Sequence, residues 1–211
     1  VLDQITGPIA RARTRAPVAV LEHVWVGHDR LAAEVISVDG DRATLQIYEE
    51  TTGLRPGEPV EGTGQPLSVV LAPGLIGRTF DGIQRPLTAV RERQGIYLRR
   101  GATEGLPDRT WTFTPTVEEG DEVRGGAVLG TVPETPLVTH RVLVPPDVHG
   151  TIVEIAGEGD LGYDDVVARI EDEDGESREV TLLQRWPVRR PRPIAERRPP
   201  DRPLVTGQRV L

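Results

Sequence analysis

The side chains able to do chemistry are few and scattered. Histidines stand at 23, 28, 140 and 149. None lies four residues from another and no cysteine accompanies them, so a metal centre would have to be assembled from distant segments. His23, His28, His140 and His149 therefore read as ordinary surface or core residues. Serine occurs only at 37, 68 and 177, and no Gly-x-Ser-x-Gly elbow exists, which weighs against a Ser–His–Asp hydrolase. The acidic run Glu171-Asp172-Glu173-Asp174-Gly175 lacks the Asp-x-Asp-x-Asp-Gly spacing and closing glutamate of a calcium loop, and is expected to be a solvated hairpin tip. Residues 74–82 (GLIGRTFDG) are glycine-rich without phosphate-loop spacing, and a turn between strands is the expectation there. No catalytic, cofactor-binding or metal-binding residue is assigned.

Absent residue types exclude more. The 211-residue chain has no lysine, so all 25 of its basic residues are arginine. That removes Schiff-base chemistry, lipoyl or biotinyl attachment and the phosphate-binding lysine of a P-loop. Without cysteine there is no disulfide, thiolate metal site or thiol nucleophile. Asparagine is missing too, as expected of a high-GC coding bias, and Val1 is not a natural translation start.

The net charge is −8, which argues against general nucleic-acid affinity. It is unevenly spread. Residues 185–211 hold eight arginines and two acids, and residues 154–179 hold eleven acids and two arginines. The arginine cluster could grip phosphate, but the rest of the chain then stands at −14 and the only aromatic nearby is Trp186. Those arginines are expected to pair with acidic surface of the same subunit or a neighbour. No apolar run approaches the ~18 residues of a membrane span. A cytoplasmic location follows as the expectation.

Glycine (23) and proline (19) make up about a fifth of the chain, which favours many short strands over long helices. Strands are expected at 2–10, 18–26, 31–38 and 42–48, the last two joined by a hairpin at Asp39-Gly40-Asp41. Tight turns in the first 65 residues suggest a small closed barrel. Residues 67–71 form one apolar strand, and 86–94 the one short helix, opened by Pro86, stopped at Gly95, with Leu87 and Val90 on one face. Residues 110–183 read as a second β unit with an internal echo: Gly120-Asp121 and Gly159-Asp160 each sit in a turn between strands. From Trp186 the prolines impose extended backbone. Residues 203–211 look like the start of further structure, as in a truncated chain. The fold class is mainly β.

These segments resemble a known family. Thr6-Gly7-Pro8-Ile9, LAAEVI (31–36), QIYEETTGLRPGEP (46–59), PLSVVLAPGL (66–75), DGIQRPL (81–87), residues 120–132, Val144-Pro145-Pro146, WPVRRPRP (186–193) and PLVTGQRVL (203–211) are similar, in order, to the catalytic A-type chain of V-type and A-type rotary ATPases. The resemblance runs from that chain's N-terminus to just before its P-loop. It implies an N-terminal β-barrel at 1–65, and a linker into the nucleotide-binding domain at 66–105. A bulge insertion follows at 106–184, and an arginine- and proline-rich return at 185–211. The segment before the first insertion strand, 103–109, is slightly shorter than the family leads one to expect.

The insertion has the strand rhythm of a biotinyl/lipoyl-like domain, a β-sandwich or flattened barrel. At the carrier turn stands Pro133-Glu134-Thr135-Pro136, so carrier function is chemically impossible. The resemblance further implies Mg-ATP as the cofactor of the full-length protein but none in this segment. The implied partners are alternating B subunits in a hexameric ring and a peripheral stalk, with no nucleic acid and no direct membrane insertion. The segment's work would be ring assembly and peripheral contacts, coupled to proton or sodium transport, and it would be inactive alone. The alternative is a stand-alone β-barrel plus lipoyl-like module binding a protein or nucleic-acid partner.

Overall fold

Alternation puts Ala43, Leu45 and Ile47 on one face of their strand, and in the computed structural model of the chain that face is buried. The structure describes residues 1–95, 100–101, 105–194, 196–203 and 207. Strands β1 (Leu2–Thr6), β2 (Ile9–Arg13), β3 (Glu22–Val26), β4 (Leu31–Asp39), β5 (Arg42–Ile47) and β6 (Val60–Pro66) form one antiparallel sheet. Their order is β1-β2-β5-β4-β3-β6. The two edges are joined through a turn rather than a ladder. The Leu2 N–H donates to the Glu58 carbonyl at 2.9 Å, and the Gly57 N–H donates to the Leu2 carbonyl at 2.8 Å. Inside lie Leu2, Val24, Val26, Leu31, Val35 and Leu45.

Two strand expectations are corrected. Residues 2–10 are not one strand: Gly7 adopts φ +60° and turns the chain before Pro8, so β1 and β2 form a hairpin. The strand expected at 18–26 begins only at Glu22. Leu21 sits at φ +71°, and the Glu22 carboxylate accepts from the Ala19 N–H at 2.9 Å, which fixes a turn there. The hairpin at Gly40 forms as expected, pairing Asp39 with Arg42.

Strand β4 departs from simple alternation. Leu31, Ala32, Ala33, Glu34 and Val35 are all buried. One face belongs to the barrel core, so something outside the barrel must cover Ala32 and Glu34. That cover comes from the segments on either side of the second β unit. Strand β7 (Ser68–Leu71) pairs antiparallel with β16 (Gln184–Pro187). Between β7 and the second unit stands helix α1 (Leu87–Gln94), capped by Pro86 and ended at Gly95 in a positive-φ conformation. Val90 is buried but Leu87 is 37% exposed, so the apolar face expected of the pair rests on Val90 alone.

The second β unit has a two-fold plan. Strands β8 (Trp111–Pro115), β9 (Glu122–Arg124), β10 (Val128–Thr135) and β11 (Val138–Leu143) are followed by β12 (His149–Ile155), β13 (Gly159–Leu161), β14 (Val166–Glu171) and β15 (Ser177–Thr181). Each strand of the second half starts 37–39 residues after its counterpart. The sheets are β11-β10-β8-β13 and β15-β14-β12-β9, so each half sends its short second strand into the other's sheet. Gly120-Asp121 lies in the turn before β9, as expected. Gly159-Asp160 is instead inside β13, because that strand pairs with Phe113 and Thr112 of β8. Trp111, Phe113, Leu129, Val132, Ile152, Val167 and Ile170 fill the sandwich.

A close approach holds β8 to β10. A Cβ on Gly130 would stand 2.6 Å from the Thr114 carbonyl and would overlap the Phe113 ring. Gly130→Ala is expected to destabilise the sandwich by about 2–3 kcal/mol through overpacking. Urea unfolding followed at Trp111 measures it, and an unchanged midpoint would contradict the packing described.

Candidate functional site

The residues singled out as chemically capable do not converge. His23 lies edge-on to Trp25 with ring centroids 4.5 Å apart. Burial lowers its pKa, and the neighbouring Glu34 works in the opposite direction. His140 is also held below its ordinary value by burial, with Glu134 opposing at 3.8 Å. His28 and His149 are exposed on other segments. Among the described residues no three His, Asp or Glu side chains group as a metal site. Asp172 is tied into its own hairpin, accepting from the Asp174 and Glu176 N–H groups.

The glycine-rich segment is a turn whose amides are already taken. Glu134, on the β10–β11 hairpin, accepts from the Gly74 N–H at 2.7 Å and the Ile76 N–H at 3.1 Å. The Tyr163 hydroxyl donates to the Pro73 carbonyl at 3.2 Å. Gly74, at φ +92°, leaves no room beside the Trp111 ring: a Cβ would be 2.7 Å from it. A carboxylate thus occupies the position a phosphate would need, and no lysine is present to assist. These residues do not fit Mg-ATP.

What the structure brings together is a pair of arginine–carboxylate hubs on the barrel's outer face. Glu34, 1% exposed, receives the Arg189 guanidinium as a fork. Nε donates to both carboxylate oxygens at 2.9 and 3.1 Å, and Nη2 donates to Oε2 at 2.5 Å. The Tyr48 hydroxyl donates to the same oxygen at 2.8 Å. The Arg189 hydrogen bonds hold the Glu34 pKa below its ordinary 4.5, against the opposing effect of burial. Burial and the Glu34 contact raise the Tyr48 pKa, and the same pairing raises that of Arg189.

The WPVRRPRP motif explains how Arg189 is aimed. Trp186 is buried on β16 and its indole N–H donates to the Arg190 carbonyl at 2.7 Å. The Arg190 N–H donates back to the Pro187 carbonyl at 3.1 Å, closing a turn. Arg190 and Arg192 lie over the Trp186 ring at 5.1 and 4.6 Å from its centroid. With Arg190 and Arg192 on the indole, Arg189 is the one turned to the barrel.

DGIQRPL builds the second hub. Asp81 accepts from the Ile83 and Arg85 N–H groups at 3.1 and 2.8 Å, and from Arg85 Nε at 2.5 Å. Arg85, 8% exposed, then donates through Nη1 to Glu49 at 2.7 Å. Burial acts against its charge, but Asp81 and Glu49 raise its pKa overall. The other Glu49 contacts are the Ala32 N–H at 3.0 Å and the Gly101 N–H at 2.8 Å. Gln84 takes both backbone groups of Val70, each at 2.6 Å.

Sequence reasoning anticipates arginines of the 185–211 cluster pairing within the protein, and Arg189 does so. It misses Glu34 and Glu49 as their anchors. The available signal is an acid at an outward position inside the otherwise apolar LAAEVI. Residues 204–206 and 208–211, where further structure is expected, lie outside the described residues, as do 102–104 of the shortened segment before the insertion.

Two outcomes follow. Arg85→Ala leaves Glu49 and Asp81 buried beside a lost cation and is expected to cost about 3–5 kcal/mol in chemical denaturation. Arg189→Ala is expected to cost less, because half of that side chain is in water. The depressed Glu34 pKa adds stability that is full above its unfolded value near 4.5 and is lost as pH falls through the lower folded value. Glu34→Gln should flatten that acid limb in melting temperature against pH, and an unchanged limb would refute the assignment.

The comparisons with known proteins agree with this architecture. The domain family described as "ATP synthase alpha/beta family, beta-barrel domain" matches residues 3–64. The one described as "ATPsynthase alpha/beta subunit barrel-sandwich domain" matches 105–189. The catalytic-ring A subunit of the A-type ATP synthase of Methanopyrus kandleri is 50% identical over 210 residues, 99% of this chain and 36% of the relative. Its counterpart in Hyperthermus butylicus is 52% identical over 213 residues, 99% and 35%, and that of Pyrococcus abyssi 49% over 210, 99% and 21%. The chain therefore spans about a third or less of the length of these relatives. Matched across both β units and through the hubs that join them, the chain belongs to the ATP synthase alpha/beta family and corresponds to the N-terminal part of the A subunit of its A-type members.

Proposed function

We propose that the chain is the non-catalytic N-terminal segment of the catalytic subunit of an A-type ATP synthase, and that it serves assembly. The observation that carries this is about 50% identity along 99% of the chain to proteins of that name. Residues 1–65 form the barrel, 66–105 the linker, 106–184 the insertion, and 185–211 the return to the nucleotide-binding domain. The barrel would take its place in a ring with alternating B subunits, and the insertion would make peripheral contacts, including those to a peripheral stalk. Mg-ATP belongs to the remainder of the full-length protein, and coupling to proton or sodium transport belongs to the whole complex. No helix among the described residues is long and apolar enough to cross a membrane. The chain's place is at the cytoplasmic side, peripheral to the membrane through the complex.

The hubs support an assembly role physically. Arg85 and Arg189 join the barrel to the two strands that lead into and out of the insertion, so the barrel's position is passed to whatever β7 and β16 are built into. A chimera tests the reading. Residues 1–211 are joined to the remainder of the Methanopyrus kandleri relative and co-expressed with its ring partners. The expected outcome is a ring of native size with ATP hydrolysis. A chimera that folds by circular dichroism yet stays monomeric would overturn the proposal.

The 211-residue chain alone is expected to give no calorimetric signal for Mg-ATP in the micromolar range. A micromolar site would refute the non-catalytic assignment.

A further inference from the structure

Between β11 and the β7–β16 ladder runs a cleft of about 230 Å³, lined by Leu71, His140, Arg141, Leu182, Gln184 and Arg192 among others. Three segments distant in sequence meet there: the insertion's edge strand, the strand pair beneath it, and the return segment. Most of the wall is aliphatic, and the polar groups that interrupt it are unevenly committed. Gln184 donates through Nε2 to the Leu143 carbonyl at 2.5 Å. His140 faces Glu134 at 3.8 Å. Arg192 has no such engagement. Its guanidinium lies over Trp186 at 4.6 Å, and its Nη1 is sealed from solvent without a hydrogen-bond partner.

That nitrogen is an anomaly. A guanidinium stays charged throughout the ordinary pH range, and its buried N–H groups need acceptors. Leaving one bare costs about 1–3 kcal/mol or more. Arg85 and Arg189 each have a carboxylate, as do Arg30 and Arg169. Arg192 alone among the buried guanidinium nitrogens of the described residues lacks one. Arg141 adds a second cation at the cleft wall, with no ion-pair partner among the described residues. Strand β11 is the edge of its sheet, so its outer side carries backbone N–H groups that no ladder uses. The volume is several times the ~30 Å³ share of one water, enough for a small anion and its residual hydration.

We propose that this cleft is a binding site for a small oxyanion, held by the Arg192 fork with Arg141 beside it. The anion supplies the acceptor that Nη1 lacks. It also ties the return segment to β11, so occupancy stiffens the junction between the insertion and the strands carrying it. A tetrahedral inorganic anion and a short aliphatic carboxylate share the recognition chemistry, and the aliphatic wall favours the carboxylate. The site is separate from any nucleotide site and does not depend on the assembly role proposed above.

The full 211-residue chain is titrated calorimetrically at low ionic strength with phosphate, sulfate and butyrate in turn. The expected result is saturable binding, one anion per chain, for at least one of the three, and the preferred probe separates the tetrahedral from the carboxylate class. Arg192→Gln should weaken it about tenfold or more, as loss of a charge-assisted fork does, and Arg198→Gln, an exposed arginine of the same cluster, should leave it unchanged. In the unmodified chain the Arg192 Nε–H resonance should shift along the same isotherm, a readout independent of whether a variant folds. Absence of saturable binding, equal loss in both variants, or a silent Arg192 resonance would each overturn the proposal.

Discussion

A carboxylate cannot stay charged and buried without a partner, and two of them on the outer face of the barrel organise much of the rest. Glu34 projects from β4 and Glu49 follows β5, on the side of the sheet away from the Leu31–Val35–Leu45 core. An uncompensated buried charge costs several kcal/mol, so the barrel's outer face is not complete by itself. Completion comes from opposite directions along the chain. Arg85 arrives from the segment before the insertion and Arg189 from the segment after it. The two are brought near each other because β7 and β16 pair, with Gln184 opposite Leu71 and Pro187 opposite Ser68. The ladder and the two ion pairs therefore depend on one another. Slipping β16 by one residue would turn Trp186 outward and carry Arg189 off Glu34.

The insertion has equal halves that are unequally used. Reciprocal exchange of β9 and β13 means neither half has a complete sheet, so the sandwich forms only when both are present. Its plan supplies two equivalent hairpins, β10–β11 and β14–β15. The first carries Glu134, whose carboxylate seizes the amides of the turn at Gly74 and Ile76. The second carries Asp172, Glu173 and Asp174, which stay in water, with Asp172 satisfying only its own turn. One hairpin faces inward to the linker and the other outward. This asymmetry rests on a few side chains laid over a symmetric backbone.

Much of this is legible in the sequence, and what is not has physical causes. Hairpins marked by Gly40 and the helix bounded by Pro86 and Gly95 are readable because local backbone constraints decide them. The break at Gly7 escapes notice because Leu2-Asp3-Gln4-Ile5 and Ile9-Ala10 look continuous in composition, and only the positive φ of Gly7 separates them. The exchange of β9 and β13 is invisible because strand pairing is long-range, and three-residue strands carry almost no periodic signal. The same is true of the hubs. Glu34 and Arg189 lie 155 residues apart, and nothing local distinguishes Arg189 from Arg190. Trp186 makes that distinction by taking Arg190 and Arg192 onto its ring.

The all-arginine composition can be divided on this basis. At Glu34 the guanidinium delivers three hydrogen bonds from one planar group, and Arg85 bridges Asp81 and Glu49 with two different nitrogens. A lysine ammonium is a single point donor on a flexible stem and could not span either arrangement. Stacking of Arg190 and Arg192 on the indole likewise draws on the flat, weakly hydrated guanidinium. By contrast Arg169, exposed between Glu154 and Glu179, makes contacts that a lysine could largely reproduce, as could Arg13 near Asp3 and Asp41. Absence of lysine across the whole chain is therefore not demanded by its structure. At positions 85 and 189, however, arginine is required by geometry, and these are the positions that fasten the barrel to the segments around the insertion.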